Sequence, residues 1–130
     1  MTIDVVYLTN DLMFSSRVMS LARAAGISLK VVGSRKALCD HVADASPAVA
    51  FVDLEHSDSQ IDLLVRELAS SGNPPKIVAY GPHVKQSLLD AAQAGGADSV
   101  LSRGQFDKQV GSILQALALQ NRPESPQDMP

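Results

Sequence analysis

The sequence holds a single cysteine, Cys39, which excludes a disulfide framework and a thiolate metal set and suits a reducing compartment. Cys39 itself reads as a small residue filling space on a buried helix face. An excess of charge is also lacking, since eleven Lys and Arg stand against fourteen Asp and Glu for a formal net charge of −3. The basic residues are scattered rather than gathered in a stripe, so the chain carries no electrostatic footprint for nucleic acid. No apolar run approaches the length of a membrane span. The opening Met1-Thr2-Ile3-Asp4 leads straight into a strand-like run, without a basic region or an apolar leader core. These absences predict a cytoplasmic protein with neither a nucleic-acid nor a membrane partner. The three histidines, His41, His56 and His83, have no spacing suited to a shared metal. His56 and His83 are expected as solvated loop residues.

What the sequence does contain is a regular alternation over one domain's length of 130 residues. Ile3 to Leu8 reads as a strand, after which Thr9-Asn10-Asp11 breaks the run and offers a side-chain oxygen to cap a helix. Phe14, Val18, Leu21, Ala22 and Ala25 then recur at helical spacing up to Gly26. A second strand, Ile27 to Val32, is followed by Ser34 as a cap and a helix faced by Leu38, Val42 and Ala45. The run from Pro47 to Glu55 is almost wholly apolar and suits a strand buried on both faces. Its helix is faced by Ile61, Leu64, Val65 and Leu68 and stops at Ser70-Ser71-Gly72-Asn73-Pro74-Pro75. Lys76 to Tyr80 is a fourth strand, with a helix faced by Val84, Leu88, Leu89 and Ala92. Ala97 to Ser102 is a fifth, with a helix faced by Phe106, Val110, Ile113, Leu114 and Leu117.

Five strands alternating with five helices imply an α/β fold with a parallel sheet covered on both faces. Five units do not close a barrel, so a doubly wound open sheet of order 2-1-3-4-5, flavodoxin-like, is predicted over residues 1–120. The polar, proline-bearing residues 121–130 are expected as a disordered tail. In such a sheet, chemistry collects outside the carboxyl ends of the strands where their order reverses. That crevice receives Thr9, Asn10 and Asp11 from the first strand and Asp53 from the third.

In order and position, residues 3–119 resemble the receiver domain of two-component response regulators. Asp53 stands at the family's phosphoacceptor position. Ala94-Gly95-Gly96-Ala97-Asp98-Ser99-Val100-Leu101 is similar to the family's stretch from the fourth helix into the fifth strand. Ser102-Arg103-Gly104-Gln105-Phe106 resembles the segment that usually reads x-Lys-Pro-Phe. Several positions depart from the pattern. The acidic pair that holds Mg²⁺ in the family is replaced by Thr9 and Asn10, leaving Asn10, Asp11 and Asp53 as a weak candidate Mg²⁺ set. The small hydroxyl residue of the family aligns with Tyr80 or Gly81. The family lysine aligns with Arg103, a cation able to clamp a phosphoryl oxygen or to pair with Asp53. The aromatic switch position aligns with Val100.

The resemblance therefore implies a stand-alone atypical receiver, or pseudo-receiver, that acts by protein–protein interaction without turnover of its own. Its partner would be a kinase or an output protein, and a homodimer would form through the face of the fourth helix, fifth strand and fifth helix. A conventional phosphorylatable regulator, with Asn10 and Asp11 holding Mg²⁺ beside Asp53, is the alternative. A small aspartate-dependent phosphohydrolase is the weaker one, because Asp53-Leu54-Glu55 lacks the second aspartate of that nucleophile motif. Thr9 to Phe14 contains no glycine to bring backbone N–H groups onto a phosphate, which disfavours a nucleotide or flavin site. Met13, Phe14 and Met19 mark either a docking surface or core packing.

Overall fold

The computed structural model describes residues 4–120; the expected tail, residues 121–130, lies outside the described residues. These form five strands and five helices in alternation: β1 (Asp4–Leu8), α1 (Leu12–Ala24), β2 (Ser28–Val32), α2 (Arg35–Ala45), β3 (Val49–Asp53), α3 (Ile61–Ala69), β4 (Lys76–Gly81), α4 (Gln86–Gly95), β5 (Ser99–Ser102) and α5 (Arg103–Gln120). All strand pairs are parallel and the sheet order is β2-β1-β3-β4-β5. The predicted doubly wound sheet is thus the observed one.

β3 is the central strand, and all five of its residues are buried, which is why its sequence is continuous rather than alternating in polarity. The helices divide between the two faces. Val18 and Ala22 of α1 pack with Phe106, Val110 and Leu114 of α5 on one side. Leu38 and Val42 of α2, Leu64 and Leu68 of α3 and Ala92 of α4 cover the other. Local chemistry sets the helix ends. The carboxylate of Asp11 accepts the Phe14 N–H at α1 and the hydroxyl of Ser34 accepts the Ala37 N–H at α2. Gly96 closes α4 at φ 101° in the left-handed region, where a Cβ would also lie 3.3 Å from Val65 Cγ1.

Three expectations are corrected. Val84 does not face the core on α4, which begins only at Gln86, and it is 77% exposed. β5 is shorter than the sequence suggested, because the Ala97 N–H is used by the Ala92 carbonyl at the end of α4. Cys39 is only half-buried, its thiol donating to Glu67 Oε2 at 3.2 Å. Burial pushes that thiol up to about 11, so it is inert near neutral pH.

Candidate functional site

Because β1 leads outward to β2 while β3 lies on its other side, the carboxyl ends of β1 and β3 open side by side. Asp53 ends β3 there and is only 6% exposed. Both of its oxygens are occupied: Oδ2 accepts the Thr9 hydroxyl at 2.8 Å and Oδ1 accepts the Glu55 backbone N–H at 3.0 Å. Thr9 is buried as well, and its Oγ1 accepts the Asp11 N–H at 3.1 Å. A buried carboxylate needs such donors to offset its lost hydration. Thr9, which the resemblance places where the family has an acid, is here the donor that holds Asp53.

Arg103 does not pair with Asp53, one of the two roles that the resemblance allowed it. Its Nη2 donates to Asp11 Oδ2 at 2.6 Å, and its guanidinium lies 4.8 Å from the Phe14 ring centroid. The N-cap bond from the Phe14 N–H, and after it the Arg103 contact, hold the Asp11 carboxyl below the usual carboxylate range. Arg17 and Asp107 form a second ion pair with the charges reversed, so α1 and α5 are tied at two points. The Asp11 contribution is complete above the ordinary value of 3.8 and is lost as pH falls through the lower folded value. Asp11→Asn should therefore flatten the stability loss as pH falls below the ordinary carboxylate value of 3.8. Both partners are partly in water, so the difference should stay below about 1 kcal/mol. Urea midpoints across that range would show it, and parallel curves for the two proteins would refute it.

Beneath Asp53 lie the chain's two tyrosines and three phenylalanines, joined in one cluster on the α1–α5 face. The Tyr7 and Tyr80 hydroxyls meet at 2.5 Å. Tyr80 stacks on Phe106 with centroids 4.3 Å apart and planes 7° from parallel, and Tyr7, Phe14 and Phe51 meet that pair edge-on. Burial pushes the Tyr7 phenol up to about 12 and raises Tyr80 further still. Tyr80, one of the two residues that the resemblance aligns with the family's small hydroxyl, is thus a phenol committed to a buried partner. Gly81, the next residue, ends β4 against Leu54. Tyr7 was missed by the sequence reading, although a second tyrosine on a strand flanking β3 was the available signal.

The other predicted positions separate. Asn10 is exposed, and its Oδ1 lies on the β2 side, 3.6 Å from where a Cβ on Gly33 would sit. Val100 packs on the opposite core, with α2, α3 and α4. His83 is exposed as expected. His56 is not: it is 7% exposed, donates from Nε2 to the Gly33 carbonyl at 2.9 Å and accepts the Asp58 N–H at Nδ1 at 3.0 Å. These partners make Nε2 the donor and Nδ1 the acceptor of the ring. Phe14 and Met19 pack partly into the aromatic side of the core, whereas Met13 is 87% and Leu12 78% exposed.

The residues present do not fit the Mg²⁺ that receivers bind. That ion takes an octahedron of oxygens with carboxylates among them. Here Asp53 already accepts two hydrogen bonds, Asp11 is held by Arg103 and by the α1 N-terminus, and Asn10 points elsewhere. Among the described residues no group of three His, Cys, Asp or Glu side chains is placed to hold a metal ion. No described helix is long and apolar enough to cross a membrane.

No protein-family model matches the sequence, and no curated protein matches it. Solved structures do match in fold. A response regulator receiver domain from Bermanella marisrubri superposes with a TM-score of 0.77 at 15% identity, covering 90% of this chain and 98% of that one. A chemotaxis response regulator of Vibrio cholerae gives 0.74 at 13% identity, covering 90% and 99%. The receiver domain of a Saccharomyces cerevisiae response regulator, solved with a histidine phosphotransfer signalling protein, gives 0.74 at 14% identity, covering 92% and 90%. The chain has the fold of response regulator receiver domains, flavodoxin-like in strand order, over nearly its whole length.

Proposed function

We propose that the chain is an atypical receiver-like signalling module that works by protein–protein contact in two-component-type signal transduction, in the cytoplasm and without turnover of its own. The observation that carries this reading is the state of Asp53: it stands at the phosphoacceptor position, yet both oxygens are bonded and the neighbouring cation is committed to Asp11. Phosphoryl transfer to a carboxylate depends on positioning and on neutralising charge, with the metal a principal contributor. A site without the acidic pair supplies little of either.

The rim of the site favours contact with a protein. Leu12 and Met13 follow β1 and Val84 follows β4, the two strands beside β3, and all three are more than three-quarters exposed. Exposed apolar side chains beside a polar centre support contact with a protein. By analogy with the yeast receiver and its phosphotransfer protein, the partner is a signalling protein, whether kinase, phosphotransfer or output protein. A homodimer through α4, β5 and α5 belongs to the same proposal.

Incubation with acetyl phosphate and Mg²⁺, followed by intact-mass measurement, tests the reading. The expected result is an unchanged mass. A phosphoryl adduct that disappears in Asp53→Asn would establish a conventional phosphorylatable regulator, and steady release of phosphate dependent on Asp53 would establish the phosphohydrolase.

A further inference from the structure

Each oxygen of Asp53 is linked to an ion pair at the surface, Oδ1 through Glu55 directly and Oδ2 through Thr9 and Asp11. On one side, the Thr9 hydroxyl donates to Oδ2 and accepts the Asp11 N–H, and the Asp11 carboxylate is bonded to Arg103. On the other, the Glu55 N–H donates to Oδ1, and the Glu55 carboxylate meets Lys85 Nζ at 3.1 Å. Thr9 and Asp11 follow β1, Arg103 opens α5, Glu55 follows β3 and Lys85 precedes α4. The segments around the carboxyl edge are thus tied in pairs across one buried carboxylate.

We propose that these two ion pairs act as a double clasp that keeps Asp53 closed, and that releasing them exposes its oxygens. The inference rests on the reading of this edge as the functional face, but not on whether Asp53 is phosphorylated. Both pairs are partly in water, with side-chain exposures of 42% and 28% for Arg103 and Asp11 and 55% and 39% for Lys85 and Glu55. Pairs this exposed are weak and are screened by salt. The clasp is therefore shut by a small margin. Any contact that draws Arg103 away leaves Asp11 held only as the cap of α1, and loosens the loop that orients Thr9. Any contact that draws Lys85 away removes one tie on the loop whose N–H holds Oδ1, leaving the buried His56 as its other anchor.

Carboxyl labelling with a water-soluble carbodiimide and glycine ethyl ester, read residue by residue by mass spectrometry, tests this directly. In the full chain at low salt, Asp53 should label far more slowly than the exposed Asp44. The Lys85→Gln/Arg103→Gln variant should raise Asp53 labelling about three- to tenfold, the effect of removing two weak pairs. In the unaltered protein, molar salt should move Asp53 labelling the same way and leave Asp44 unchanged, a reading that does not depend on the variant folding. Asp53 labelling that ignores both salt and the double substitution overturns the clasp. Metal-induced changes at Asp53 would instead overturn the adaptor reading and leave the clasp standing.

Discussion

Phe106→Ala should lower the stability of the fold by about 3–5 kcal/mol, the usual range for removing a fully buried phenylalanine. Phe106 is wholly buried, stacks on Tyr80 and meets Tyr7, Phe14 and Phe51 edge-on. Its loss removes both apolar burial and several aromatic pairings. The urea midpoint should fall at nearly constant slope, with a thermal midpoint lower by roughly 10–20 °C. A loss below about 1 kcal/mol would mean that the cluster is looser than its geometry indicates.

The second large effect concerns the tyrosine hydroxyls. Tyr7→Phe or Tyr80→Phe alone strands a buried hydroxyl and should cost about 1–3 kcal/mol. The double substitution leaves two phenyl rings with nothing unsatisfied, so it should cost clearly less than the sum. Additive costs would show that the 2.5 Å contact contributes nothing. The same pair sets the alkaline limb of stability. The Tyr7 phenol is raised from 10.0 to about 12, so its contribution is complete below 10 and is lost as pH rises towards the folded value. Since the chain has only two tyrosines and both are buried, no tyrosinate absorbance should develop in the native protein until well above pH 10. Absorbance rising at the ordinary phenol value would place at least one hydroxyl in water.

The fold was legible because it follows from local patterns that the sheet does not override. The apolar run ending at Asp53 suited a strand buried on both faces. Ser34 and Asp11 announced their helices, and strict alternation left few topologies for a chain of this size. Asp53 was found for the same reason, since its place follows from strand order alone. The contacts around it were not legible. Arg103 and Asp11 lie 92 positions apart, and which acid a cation meets depends on α1 and α5 sharing a face. The role of Thr9 depends on the distance between the ends of two strands, and the burial of His56 on a turn after β2, 23 positions away. Composition placed that histidine in a loop correctly, but loop position does not decide burial. The departures at Thr9, Asn10, Tyr80 and Arg103 were visible as absences; that Thr9, Tyr80 and Arg103 carry other bonds instead, and that Asn10 turns towards β2, was visible only in three dimensions.

Amide NMR spectra recorded with Mg²⁺ alone and then with Mg²⁺ and beryllofluoride, beside an Asp53→Asn control, test the central claim most directly. The account predicts no change at Thr9, Asn10, Asp11, Asp53 or Arg103 at millimolar metal, because both Asp53 oxygens already accept hydrogen bonds and the nearest second carboxylate, Asp11, is paired with Arg103. Shifts centred on those residues that vanish in the control would contradict it and restore a metal-dependent phosphorylation switch.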